Sequence, residues 1–239
     1  FPVFPAATDV WGDGPNWETG HWLTGRFGGA PMSELVAAIL SDNGVEAADT
    51  ENLGEGPDGY VVDRPMTPRA MLDPLALAFG FDAFEQDGMM RFRQRGGRPV
   101  AELAEDELVL PDEAAPARLT RAQESDLPRE VSIAFTDLDS DYQRAVATSR
   151  RLVGQSARAA HADLAMISNG GQTRRCAEIW LQDLWAGRES ADFGLPPSKL
   201  ALAPADIAGL TVNGRRRLIE LQEISDAESR SLRARSIDR

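Results

Sequence analysis

The sequence predicts an α+β fold, in which a small α/β unit precedes an antiparallel β-barrel or sandwich with one packed helix. Three observations support this prediction. Apolar residues repeat at helical spacing in segments that end near residues 43, 80 and 187. Side chains after residue 130 alternate between apolar and polar, as in half-buried strands. Asp87-Gly88 and Asn213-Gly214 each separate two apolar runs and predict hairpin turns.

Four parts are predicted along the chain of 239 residues, a length that allows two small domains with their own cores. Residues 1–30 form a Trp- and Gly-rich segment that leaves a preceding domain, and residues 31–97 form a small α/β domain. Residues 98–125 form an acidic linker, and residues 126–239 form a β-rich domain. Since the chain starts at Phe1 and not at Met, we expect a piece of a longer protein.

The α/β domain contains two predicted helices. Ser33 is the expected N-cap of the first helix, which ends at Asn43-Gly44. Thr67 caps the second helix, and Gly80 stops it. A short strand at residues 60–62 lies between the helices. A hairpin at residues 81–93, with Phe92 pointing inward, completes a compact unit of order α-β-α-β-β.

The β-rich domain begins with two predicted strands, at residues 131–136 and 142–149, joined by an acidic corner. The strongest helix of the chain follows at residues 172–187, with one apolar and one charged face. Residues 164–167 fit either a strand or a helical turn. Further strands are predicted at residues 190–195, 207–212, 215–223 and 229–237.

The net charge of −13 argues against nucleic-acid binding, which needs clustered positive charge to replace counterions. Such a surface is compatible with DNA that passes nearby, because a negative wall repels phosphates. Cys176 is the single cysteine, so neither an intrachain disulfide nor a cysteine-rich zinc site can form.

Candidate binding residues are few. Asp137, Asp139 and Asp141 alternate in the acidic corner and could hold Ca²⁺, although the spacing of a calcium loop is missing and a solvated turn is favoured. Three tryptophans, Trp11, Trp17 and Trp22, could stack on a sugar but are better explained as packing an irregular segment against a neighbouring domain. The two histidines, His21 and His161, are interpreted as structural.

Signatures of catalysis are missing from the sequence. It contains no GxSxG or GxxxxGK[ST] motif, and no pair of carboxylates stands out. Cys176 has no base near it in sequence. We therefore predict no catalytic residue, no cofactor-binding residue and no metal ligand, and we expect a scaffold or binding module that is not an enzyme and needs no cofactor.

Several stretches resemble the large tail-tip protein of gene transfer agents and related long-tailed phages. The resemblance concerns the region just downstream of the glycoside-hydrolase-like TIM-barrel domain of that family, and it covers nearly the whole chain. It rests on the order and spacing of FPAATDVWGDGPNWETGHWLTGRFGGAP, GYVVDRPMTPRAMLDPLALAFGFDAFEQDGMMRFRQRG, LPREVSIAFTDLDSDYQRAVATSRR and LPPSKLALAPADIAGL.

This resemblance implies a baseplate or tail-hub subunit at the tip of a virion tail, with a tail-tube-like β-domain. The implied assembly is a homotrimer that lines a channel, through which DNA passes without specific binding. Implied partners are the distal tail and tail-tube proteins, the tape measure protein and other baseplate subunits, with the host cell surface contacted indirectly. The TIM barrel would precede Phe1, so no catalytic residue carries over.

Two alternatives stay open from the residues alone. A carbohydrate-binding or glycan-hydrolysing module would use the three tryptophans and the spare carboxylates. A metal-dependent adhesin would use the three aspartates of the acidic corner.

Overall fold

The computed structural model describes residues 20–21, 26–28, 30–62, 64–109, 115–154, 156–226 and 230–238. The helices in these ranges are α1 (Met32–Asp42), α2 (Pro68–Phe79) and α3 (Gly170–Ala186). The strands are β1 (Gly20–His21), β2 (Arg26–Gly28), β3 (Ala48–Asp49), β4 (Gly59–Val61), β5 (Phe81–Gln86), β6 (Met89–Gln94), β7 (Ala101–Leu103), β8 (Ala117–Arg121), β9 (Glu130–Asp137), β10 (Gln143–Arg150), β11 (Ala159–Ser168), β12 (Glu189–Leu195), β13 (Ile207–Val212), β14 (Arg215–Asp226) and β15 (Arg230–Ser236).

Three sheets organise these strands. The first sheet has the order β1-β2-β4-β11-β9-β10, and the second sheet has the order β7-β13-β14-β15-β12-β8. A hairpin sheet of order β3-β6-β5 is smaller. Most of the described neighbours are antiparallel, but β11 runs parallel to β9, β7 to β13 and β3 to β6. The predicted α+β class is confirmed, and the sheets of the described strands are open, without a closed barrel.

Local signals explain where the helices begin and end. The hydroxyl of Thr67 accepts a hydrogen bond from the Ala70 N–H at 3.3 Å, and Gly80 ends α2 with a left-handed φ of 66°, as predicted. The prediction for α1 is wrong at its start. The carbonyl of Pro31 accepts the first helical hydrogen bond, and Ser33 lies inside the helix without a capping bond. Proline is suited to this entry because its φ is already fixed near the helical value.

The pairing of strands decides one open prediction and adds partners to another predicted strand. Residues 164–167, ambiguous by sequence, lie in β11. Strand β4, which was predicted within a compact α/β unit, pairs with β2 and β11 of the first sheet and not with the hairpin. Tyr60 on β4 is buried, and its hydroxyl donates to the Met71 carbonyl at 2.8 Å. The strand therefore connects α2 to the first sheet.

Buried side chains form two cores. The first core joins α1, α2 and the hairpin to β9, β11 and α3, so residues 31–97 share one interior with residues 131–185. The second core belongs to the second sheet. Full burial of a side chain as large as Phe135 in the first core contributes about 2–3 kcal/mol. The four-part division of the chain itself remains a prediction.

The acidic segment at 98–125 supplies β7 and β8, which are the two edge strands of the second sheet. Val109 adds an isolated bridge to Gly194. This segment therefore runs from one edge of the second sheet to the other. Among the described helices, none is long and apolar enough to cross a membrane.

Helix α3 covers the inner face of β9 and β10 and also contacts α2. Near its end, Trp185 is buried, and its indole N–H donates to the Pro128 carbonyl at 2.7 Å. The Arg151 guanidinium stacks on the same ring at 4.0 Å from its centroid. Trp185 thus joins the helix to both ends of the β9–β10 hairpin.

We expect Trp185→Phe to lower the free energy of unfolding by roughly 1–3 kcal/mol, because the Pro128 carbonyl loses its donor and the smaller ring leaves a gap. Denaturant titration measures the change. Trp180→Phe is the matched control on the same helix, since Trp180 is only half-buried. Equal losses for the two variants would contradict this account of Trp185.

Candidate functional site

The acidic corner is a self-contained turn. Asp137 ends β9, and its carboxylate accepts hydrogen bonds from the Asp139 N–H at 3.1 Å and the Ser140 hydroxyl at 2.8 Å. Asp141 and Tyr142 complete the reversal with positive φ angles of 51° and 58°. The Asp137 carboxylate is therefore used inside the turn. In the described part of the chain, no three His, Cys, Asp or Glu side chains are grouped to hold a metal ion.

The remaining sequence candidates are scattered. His161 lies on β11 beside Ser132 of β9, and its Nδ1 is 2.9 Å from the Ser132 hydroxyl on an exposed sheet face. Burial raises the pKa of Cys176 to about 11, so this residue stays a thiol at neutral pH and is a poor nucleophile. Outside the described residues lie Trp11, Trp17, Trp22 and the side chain of His21.

A cleft of about 830 Å³ opens beside the first core. Its walls come from the end of α1, from α2, from the hairpin and from one face of α3, and Arg235 of β15 in the second sheet completes the lining. Most of its lining is apolar and includes Leu40, Val45, Leu72, Leu77, Phe81 and Met90. We call this feature the junction cleft. No motif in the sequence pointed to it, because its lining comes from five separate segments.

A chain of ion pairs lies along one side of the junction cleft. Arg95 holds Asp82 with two hydrogen bonds, of 2.8 and 2.6 Å, and reaches Asp183 of α3 at 3.3 Å. Asp183 also accepts from Arg235 of β15 at 3.0 Å. Arg235 in turn binds Glu220 of β14 at 2.7 Å. We call these five residues the junction ion cluster. It connects the hairpin, α3 and the second sheet.

Burial sets the electrostatics of Glu220, whose side chain is only 4% exposed. Loss of hydration raises the pKa of Glu220 above its ordinary value, and the neighbouring Arg235 only partly opposes this effect. A second ion pair, between Arg93 of β6 and Asp206, also joins the hairpin to the second sheet. The two cores are therefore tied by charge at two points.

The edge of the first sheet is also available for contacts with another chain. Strand β10 is an edge of the first sheet, and Arg151 donates its N–H to the Arg129 carbonyl at 2.9 Å. This register turns the backbone N–H and C=O groups of residues 144, 146, 148 and 150 toward the open edge. Val146 on this edge is 60% exposed, and Tyr142, just before β10, is 61% exposed. Such an edge can accept a strand from another chain.

We expect Asp183→Asn to lower the free energy of unfolding by roughly 1–2 kcal/mol, because two partly buried guanidinium groups lose the charge between them. Thermal and denaturant unfolding measure the loss. Asp192→Asn is the matched control, since Asp192 meets Arg233 at 3.1 Å where both side chains are well exposed. Its cost should stay within about 0.5 kcal/mol. A cost for Asp192→Asn as large as that for Asp183→Asn would contradict a special role of the junction.

A second expectation concerns pH. The folded-state pKa of Glu220 lies above its ordinary value of 4.5, so its ionisation costs stability as pH rises through and above that value. Glutamine does not titrate. Glu220→Gln should therefore gain stability relative to the unchanged protein as pH rises above 4.5, as measured by melting temperature.

The exposed Glu223 lies on the same strand and provides the control variant Glu223→Gln, which makes the same substitution without burial. A deficit of Glu220→Gln that grows with pH would mean that attraction to Arg235 outweighs the cost of burial.

Comparison with known proteins identifies the family. The family model described as "Putative phage tail protein" matches residues 67–224, which is about two thirds of the chain. No curated protein matches the chain. Among solved structures, a chain in the virion of a native gene transfer agent (GTA) particle superposes with a TM-score of 0.83 at 28% identity. That match covers 100% of this chain and 54% of the other.

Two bacterial tail proteins share the fold. The tail protein from Neisseria meningitidis MC58 has a TM-score of 0.61 at 11% identity and matches 88% of this chain and 68% of its own. The 43 kDa tail protein of prophage MuSo2 from Shewanella oneidensis has a TM-score of 0.60 at 14% identity and matches 91% and 68%. The chain thus spans about half the length of the GTA protein that it resembles. Because the family model covers most of its length, the chain belongs to this family of phage tail proteins.

Proposed function

We propose that this chain is a structural subunit of the hub, or baseplate, at the distal end of a phage-like tail. There it joins the tail tube to the parts that attach to the host. The observation that carries the proposal is the match over the whole chain to a protein of a gene transfer agent virion, at a TM-score of 0.83. The membership in a phage tail family supports the same assignment.

Assembly into a ring is part of the proposal. The two six-stranded sheets are open among the described strands, and β10 presents unpaired backbone groups at one edge. Open edges are unfavourable on a free subunit and are satisfied when subunits close edge to edge. We propose a homotrimer whose other contacts are with the tail tube, the tape measure protein and further baseplate subunits.

The charge of the chain supports a passage for DNA. A net charge of −13 repels phosphates, so DNA can move past such a wall without binding to it. Many arginines are already paired with carboxylates, as Arg144 is with Asp163 and Arg216 with Glu102. Paired arginines attract a passing phosphate less strongly than free ones.

The chemistry of the described residues supports a role without catalysis. Cys176 is a buried thiol of raised pKa, and the Ser132–His161 pair lies on an open sheet face. The junction ion cluster is saturated by its own pairs and joins two cores. These groups are arranged to hold the chain together rather than to bind and transform a substrate.

An epitope tag inserted at the Asp87-Gly88 turn tests the location, because both residues of the turn are exposed. In tagged particles viewed by electron microscopy, antibody should label the distal tail end, and averaged images should show a three-fold ring.

Particles without the tag are the control for antibody specificity. Label along the tail shaft or on the capsid would contradict a hub role. A tail tip without three-fold symmetry would contradict the proposed trimer.

A further inference from the structure

The chain contains two Asn-Gly dipeptides, Asn43-Gly44 and Asn213-Gly214. In this dipeptide the backbone nitrogen of the glycine can approach the side-chain amide of the asparagine with little steric resistance, because glycine carries no Cβ. Both dipeptides are exposed and therefore open to water. Their chemical fate depends on how the fold holds two groups, the side-chain amide of the asparagine and the backbone N–H of the glycine.

Asn213-Gly214 forms the two-residue turn between β13 and β14. The register pairs Val212 with Arg215, and φ angles of 52° at Asn213 and 68° at Gly214 are those of a type I′ turn. Within the described part of the chain, neither the Gly214 N–H nor the side-chain amide of Asn213 has a hydrogen-bond partner. A Cβ placed on Gly214 meets no atom within 4 Å. Both groups are therefore free to move toward each other.

Asn43-Gly44 follows α1 and is held by hydrogen bonds. The side-chain amide of Asn43 donates to the Ile39 carbonyl at 2.8 Å. The Gly44 N–H donates to the Ser41 carbonyl at 3.0 Å. Both groups of this second dipeptide are thus fixed to the last turn of α1, and two hydrogen bonds have to break before they can meet.

We propose that Asn213 is a site of spontaneous deamidation and that Asn43 is protected from it. The backbone nitrogen of Gly214 forms a bond to Cγ of Asn213. The bond from Cγ to Nδ2 breaks, and the proton of the attacking nitrogen passes through water to the leaving amide, which departs as ammonia. Water then opens the cyclic imide at either of its C–N bonds and gives aspartate or isoaspartate. The net reaction consumes water and releases ammonia.

The product places a new carboxylate beside an existing one. The Asn213 N–H donates to the Glu105 carboxylate at 2.7 Å. Glu105 follows β7, which is an edge strand of the second sheet and pairs with β13. An aspartate is ionised at neutral pH and repels Glu105, whereas isoaspartate lengthens the backbone of the turn. Either product should therefore weaken the contact between the hairpin and the segment that supplies this edge strand.

Peptide mass mapping of the full chain tests the proposal. The folded protein is incubated at neutral pH, and the mass change from amide to acid is followed at both dipeptides. Asn213 should convert at least about tenfold faster than Asn43, because two hydrogen bonds protect Asn43. The chain unfolded in urea is the control, and there the two sites should convert at similar rates. Equal rates in the folded chain, faster conversion of Asn43 or an unchanged Asn213 would overturn the proposal.

A variant tests the effect on the edge strand. Asn213→Asp carries the charge of one product, and aspartate is as suitable as asparagine in this turn. It should melt lower than the unchanged protein by roughly 1–3 °C. In a Glu105→Gln background most of this loss should disappear, because the repelling carboxylate is gone. A loss of the same size in both backgrounds, or no loss at all, would show that the new charge does not act on Glu105 and would overturn this effect.

Discussion

The carboxylate of Asp183 is the point on which the arrangement of this protein depends. It lies between Arg95, which follows the hairpin, and Arg235 on the second sheet, and it belongs to a helix that covers the first sheet. The hairpin and the helix belong to the first core, whereas the second sheet has a core of its own. Charge pairing at partly buried positions therefore sets how the two cores meet.

The use of ion pairs to join the two cores has a physical cost and a benefit. Paired charges at a junction are weaker per contact than an apolar interface, because each group loses hydration. They are also directional, since the planar guanidinium of Arg95 binds both oxygens of Asp82 at 2.8 and 2.6 Å.

The surface features that do not take part in the packing of the fold indicate the function. The groups familiar from enzymes, such as Cys176 and the Ser132–His161 pair, are either buried as a neutral thiol or exposed on a flat sheet. The features that remain are an open strand edge and an apolar cleft. These features suit a protein that is completed by neighbours, which agrees with membership in a phage tail family.

Sequence reasoning predicted the parts of this fold that are decided locally. Thr67 and Gly80 delimit α2, and Asp87-Gly88 turns the hairpin, because capping and positive φ depend on the residue itself and its near neighbours. The resemblance to gene transfer agent tail proteins likewise rested on short sequence segments in a set order. The cleft and the ion cluster gave no comparable signal, because no spacing rule links Arg95 to Asp183 or to Arg235.

The sequence by itself therefore determined the helices, the turns and the tail-protein family. Only the tertiary structure decided that β4 joins the first sheet beside β11 and that the acidic segment provides both edges of the second sheet. The reason is that a strand chooses its partner through contacts between segments far apart in the chain. Many pairings satisfy the same alternation of side chains, and packing of the whole molecule selects one of them.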